Sequence, residues 1–86
     1  MKHFASPDFW DSYRRLPEAI QKIADKNFEI LKANPRHSSI RLKKIGILWS
    51  ARVGLQYRAI AKERSEGLVW IWIGPHSEYD QLVKIQ

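Results

Sequence analysis

The stretch Leu68-Val69-Trp70-Ile71-Trp72-Ile73 contains no polar side chain and stops abruptly at Gly74-Pro75. It is far shorter than the ~20 apolar residues needed to span a bilayer. Its β-branched and aromatic composition is that of a strand buried on both faces. Such a strand needs partners beside it and cover above and below. Tyr57 to Lys62 precedes it across the turn Ser65-Glu66-Gly67, and Ile47 to Val53 comes before that, across Gly54. Ile40 and Leu42 alternate with Arg41 and Lys43, a further short strand with one wet face. Short turns between consecutive strands predict an antiparallel meander. Strict alternation would place Trp70 and Trp72 on one face of the last strand, and Val69, Ile71 and Ile73 on the other.

The first half of the chain reads as helix. Ser6-Pro7-Asp8 combines a capping hydroxyl, a proline suited to the first helical position and a carboxylate that complements the dipole. Phe9, Trp10 and Tyr13 follow at helical spacing until Leu16-Pro17. Pro17-Glu18 repeats the start signal, and Ile20, Ile23, Ala24, Phe28 and Leu31 form one stripe before Asn34-Pro35 ends the segment. The predicted fold is α+β: an N-terminal helical hairpin packed on a small antiparallel sheet. At 86 residues the chain forms a single domain, residues 1–86, which buries about 64% of its unfolded surface.

Composition narrows the function. Without cysteine there are no disulfides, thiolate metal sites or cysteine nucleophiles, and His3, His37 and His76 show no ligand spacing, so no metal or other cofactor is expected. The start Met1-Lys2-His3-Phe4 lacks an apolar signal region, which predicts a cytoplasmic chain with no membrane partner. Fifteen Lys and Arg against nine Asp and Glu give a net charge of +6, which favours a polyanionic partner. The tryptophans read as core rather than as base-stacking platforms: Trp70 and Trp72 lie in an apolar run and Trp10 on a helix stripe.

Among the cations, Lys22, Lys26, Lys32 and Arg36 read as solvated surface. Arg41, Lys43, Lys44 and Arg52 cluster around the first strands, although Lys43 and Lys44 must point to opposite faces. Arg58 sits among the apolar residues of Tyr57-Arg58-Ala59-Ile60, where a fixed charge requires an anion: a carboxylate such as Glu78 or Asp80, or a phosphate. If Gly54, Leu55 and Gln56 form a three-residue loop, Arg52 faces Arg58 across the hairpin. The cluster Gly74-Pro75-His76-Ser77-Glu78-Tyr79-Asp80 reads as a functional loop at a strand end, with a histidine able to move protons near neutral pH. With a strand arginine close by, these groups suit phosphodiester cleavage, which needs a base, an acid and cations for the developing charge.

Three segments resemble the RelE/ParE toxin superfamily: Ile40-Arg41-Leu42-Lys43-Lys44-Ile45-Gly46, Trp49-Ser50-Ala51-Arg52-Val53-Gly54-Leu55-Gln56-Tyr57-Arg58-Ala59, and Trp72-Ile73-Gly74-Pro75-His76-Ser77-Glu78-Tyr79-Asp80. The resemblance implies a toxin of a type II toxin–antitoxin pair, neutralised by a small antitoxin. In the RelE branch such a toxin is a metal-independent endoribonuclease that cuts mRNA on the ribosome. In the ParE branch it is a DNA gyrase inhibitor without chemistry, and a degenerate member would bind only its antitoxin. The resemblance assigns Arg58 to the scissile phosphate, Lys43, Lys44 and Arg52 to RNA, and His76 and Tyr79 to proton transfer; Arg41, from the same basic cluster, joins the RNA-binding set. Where the YoeB type has a glutamate base this chain has Ile40, which leaves His76, Glu78 or Asp80 as base or orienting carboxylate.

Overall fold

The computed structural model describes residues 2–84. Strand β1 (Lys2–Ala5) leads into helices α1 (Pro7–Arg14) and α2 (Glu18–Ala33). Strands β2 (Lys43–Ile45), β3 (Leu48–Val53), β4 (Tyr57–Arg64) and β5 (Gly67–Pro75) follow, and helix α3 (His76–Lys84) closes the described chain. The sheet has five strands in the order β1-β5-β4-β3-β2.

The start signals act as expected. Ser6 Oγ accepts the Phe9 N–H at 3.2 Å, Pro7 opens α1, and Asp8 lies in its first turn. The hydroxyl of buried Ser12 donates to Phe9 O and accepts the Ile73 N–H at 3.0 Å, tying α1 to β5 where β1 has ended. Phe9, Tyr13, Ile20 and Ala24 pack from the helices onto a core of Leu16, Leu31, Ile40, Ala51, Val53, Ala59, Ala61, Leu68, Trp70 and Ile73. Phe28 and Trp10 depart from the expected core stripe, remaining 40% and 45% exposed beside Phe4 in an apolar groove between β1 and the helices.

Four expectations are corrected. The helical hairpin is not N-terminal, because β1 precedes it and pairs parallel with β5, Lys2 opposite Gly67 and Ala5 opposite Trp70. The sheet is therefore mixed, and a Cβ at Gly67 would overlap the Lys2 carbonyl, so the close approach of β1 requires glycine there. The short first strand of the meander is Lys43–Ile45 rather than the Ile40–Lys43 segment. Ile40 instead plugs the core at 1% exposure, and Arg41 next to it takes a left-handed φ of 49°. The cluster after β5 is helical rather than a loop, since Pro75 ends the strand and His76 begins α3.

The fourth correction concerns the tryptophans. Ile60 pairs with Trp72 while the adjacent Ala61 pairs with Trp70, so Ile71 is an extra residue in a β-bulge. The bulge breaks the alternation. Trp70 and Ile73 both turn into the core, and Trp72 turns to the opposite face.

Candidate functional site

The turn of β3 into β4 comprises Gly54, Leu55 and Gln56, with Gly54 at a φ of 64° that suits glycine. This length sets the register: Val53 pairs with Tyr57, and Arg52 with Arg58, the pairing expected of a three-residue loop. Arg58 is in turn the partner of Gly74 in β5. The arginine pair thus sits one residue from the hairpin turn, beside the strand end that launches α3.

The Arg58 guanidinium donates from Nη1 to Tyr57 O at 2.8 Å and to Leu55 O at 3.5 Å. Neither Arg52 nor Arg58 forms an ion pair among the described residues. Arg52 Nε is buried without a hydrogen-bond partner among them. Burial and then Arg52 lower the Arg58 pKa from its ordinary value, Arg41 adds to this, and Tyr79 and Asp80 oppose it. The guanidinium remains charged regardless. Cations facing each other with no carboxylate ion-paired to either, Asp80 acting on Arg58 only from a distance, form a ready anion site.

Two concavities meet at Arg58. One, of about 520 Å³, is lined by Leu55, Gln56, Tyr57, Arg58, Pro75, His76, Ser77 and Asp80. The other, of about 90 Å³, lies between Arg41, Lys43, Ser50, Arg52 and Arg58. Four of its five lining residues are cations, and none is acidic. The backbone of Arg41 contributes strain, because a non-glycine residue at positive φ is costly. Lys44 is not part of this site. It pairs with Trp49 on the helix-facing side of the ladder, while Lys43 pairs with Ser50 on the arginine side.

His76 opens α3, and its backbone N–H donates to Gln56 O at 2.7 Å, fastening the helix to the β3–β4 turn. One helical turn on, Asp80 places Oδ2 3.1 Å from His76 Nδ1. A carboxylate at this distance holds the ring proton on Nδ1 and leaves Nε2 as the basic nitrogen of the neutral ring. Tyr79 is 7% exposed, with its ring centroid 5.9 Å from that of His76. It supports the histidine from within the fold. Glu78 is exposed and faces a separate pocket. The structure therefore brings together Arg41, Lys43, Arg52, Arg58, His76 and Asp80, keeps Tyr79 against them, and leaves Lys44 and Glu78 apart.

Sequence reasoning passed over Leu55 and Gln56 as site residues, although Leu55 is 78% exposed on the rim of the larger recess. An apolar residue at a turn tip was the available signal. Trp49 donates from Nε1 to Glu63 Oε1 at 2.8 Å and packs on the core margin. Among the described residues no group of three or more His, Cys, Asp or Glu could hold a metal ion, and no helix is long and apolar enough to cross a membrane.

No protein-family model matches the sequence, and no curated protein matches it. Solved structures do resemble it. A chain of the RelB–RelE antitoxin–toxin complex from Methanococcus jannaschii superposes with a TM-score of 0.70 at 18% identity, over 91% of this chain and 96% of that one. The YoeB/ParE toxin from Agrobacterium tumefaciens gives 0.66 at 19% identity, over 88% and 99%. The isolated E. coli RelE toxin gives 0.61 at 13% identity, over 98% and 97%. With 88–98% of its length superposed on them, this chain has the fold of the RelE/ParE toxins.

Proposed function

We propose that the chain is the toxin of a type II toxin–antitoxin pair and that it cleaves mRNA on the ribosome. The observation that carries this reading is the Arg52–Arg58 pair, opposed across β3 and β4 with no ion-paired carboxylate among the described residues, beside the His76–Asp80 couple. Like charges placed face to face repel unless an anion sits between them. A scissile phosphate is such an anion.

In this reading His76 Nε2 takes the proton of the ribose 2′-OH, and the 2′-oxygen forms a new bond to phosphorus. The bond from phosphorus to the 5′-oxygen breaks, and a proton returned from the imidazolium or from water neutralises the leaving oxygen. The products are a 2′,3′-cyclic phosphate and a 5′-hydroxyl. Arg52 and Arg58 stabilise the extra charge on the phosphorane, and Asp80 stabilises the imidazolium. Arg41 and Lys43 hold the flanking backbone. The net charge of +6 suits an acidic, partly disordered antitoxin, and three of the fold relatives come from RelB–RelE-type complexes.

One observation favours the second reading, a gyrase inhibitor without chemistry. Ile40, which the resemblance aligns with the glutamate base, is sealed in the core at 1% exposure, so that position offers no base to a substrate. Induction in cells separates the two. Translation stopping first, with mRNA fragments bearing cyclic phosphate ends, is the expected result. Replication stopping first over intact mRNA would overturn the nuclease reading.

A further inference from the structure

A pocket of about 150 Å³ adjoins the recess that holds Arg58 and His76, at the free edge of β5. The β1 ladder ends at Trp70, and beyond it Ser12 of α1 takes the Ile73 N–H, leaving a notch between the end of α1 and the start of α3. Leu16, Pro17, Tyr57, Trp72 and Pro75 supply apolar walls, and Arg15 and Glu78 are its charged members. Tyr57 and Pro75 line both concavities, so one side-chain pair separates the phosphate recess from this notch.

Two features make the notch a built site. The indole of Trp72 lies over Gly74, where a Cβ would overlap ring atom Cζ2. The absence of a side chain at position 74 leaves the space that the ring fills beside the notch. Arg15 and Glu78, opposite in charge and lining the same pocket, form no ion pair with each other or with any other described residue. An exposed guanidinium and an exposed carboxylate, both lining an aromatic-walled notch, present a donor and an acceptor to whatever enters it.

We infer that this notch receives the nucleobase next to the phosphate held by Arg58, with Trp72 as a stacking surface and Arg15 and Glu78 reading the base edge. The inference rests on the proposed RNA reading of the neighbouring recess. Single-stranded RNA is read in this way, by splayed bases stacked on aromatic rings and hydrogen-bonded along their edges. Glu78 accepts from ring or exocyclic N–H groups and Arg15 donates to carbonyl or ring nitrogen acceptors. Bases differ in the order of these groups, so a fixed donor–acceptor pair discriminates among them.

The test titrates adenosine, guanosine, cytidine and uridine monophosphates into the intact protein and follows the indole N–H resonances, alongside mapping of mRNA cleavage positions. One nucleotide should bind about 5- to 150-fold more tightly than the weakest, the range of one well-placed bidentate contact. Glu78→Gln turns an acceptor-only carboxylate into an amide that carries one acceptor and one donor group. It should reorder the preference among the four nucleotides and shift the cleavage positions, while leaving the thermal midpoint and antitoxin binding unchanged. Arg15→Gln should flatten the preference. Equal binding of all four nucleotides, or a Glu78→Gln protein with wild-type preference and cleavage positions, would overturn the notch. Discriminating nucleotide binding without any mRNA cleavage would instead overturn the nuclease reading and leave the notch standing.

Discussion

Arg52→Met should make the free protein more stable. Arg52 lies directly opposite Arg58, and its Nε is buried with no hydrogen-bond partner among the described residues. Like charges opposed across a ladder cost about 0.2–1 kcal/mol, and a buried donor left unpaired costs about 1–3 kcal/mol. Methionine keeps most of the aliphatic stem, and with it the packing, while removing both penalties. Even the lower ends of the two ranges predict a gain of about 1 kcal/mol, or about 4–8 °C in thermal midpoint for a domain of this size. The charge component should shrink in about 1 M salt, where the screening length falls to about 3 Å.

Calorimetry with and without a single-stranded RNA provides the assay. A ligand at about a hundred times its Kd adds about 2.7 kcal/mol to the stability of the wild type. The Met variant should gain less, because it has lost one phosphate contact, and its dependence of log K on log salt should flatten by about 0.7. RNA should therefore narrow the gap between the two proteins, and reverse it where the variant's gain lies near the lower ends of those ranges. An Arg52→Met protein that melts below the wild type without RNA at low salt would refute the reasoning: the arginine would then be a structural residue, satisfied by its surroundings, and the case for an anion between the pair would collapse.

Other consequences are as direct. Arg58→Ala and His76→Ala should each reduce mRNA cleavage, by about 10²–10³-fold for the charge-stabilising donor and about 10²–10⁴-fold for the base, with antitoxin binding retained and the double variant little worse than either. His3 Nδ1 accepts the Trp70 indole N–H at 3.1 Å, and burial above all lowers its pKa below the usual 6.5. The unfolded chain then binds the proton more readily, so this stability is complete above pH 6.5 and lost as pH falls through 6.5 toward the folded value; denaturant midpoints should drop across that window and His3→Phe should remove the decline. The Tyr13 hydroxyl donates to Asp25 Oδ1 at 2.7 Å, and this bond raises its pKa to about 12. Its contribution is complete below pH 10 and lost between about pH 10 and 12, and Tyr13→Phe should abolish that alkaline slope. Gly74→Ala should cost about 1–3 kcal/mol, as overpacking does, and alter the near-ultraviolet signal of Trp72.

What could be read from the sequence divides along local lines. The arginine pairing follows from a loop of three residues, Gly54 to Gln56, because a short turn fixes the register of the strands it joins. The caps of α1 are likewise local chemistry. Strand β1 was illegible because Lys2-His3-Phe4-Ala5 is short and its partners lie at Gly67 to Trp70, a parallel pairing that no turn announces. Helix α3 hid behind Gly74-Pro75-His76-Ser77, which reads as loop, although Tyr79, Leu82 and Val83 are spaced for one apolar face.

The bulge at Ile71 shows why these gaps matter for the site. In a regular strand residues 70, 72 and 74 share one face. Gly74 must lie beside Arg58, on the face away from α1 and α2, if the end of β5 is to deliver His76 to the arginines. Trp70 must face the helices, where it fills the core at 5% exposure. No regular strand satisfies both demands, and slipping the register by one residue would satisfy one at the expense of the other. One extra residue between them reverses the parity, so the core side of the strand can be set by packing and the site side by the arginine pair. An unbroken apolar run conceals such a residue, because with no polar position to mark the wet face every register looks equally buried.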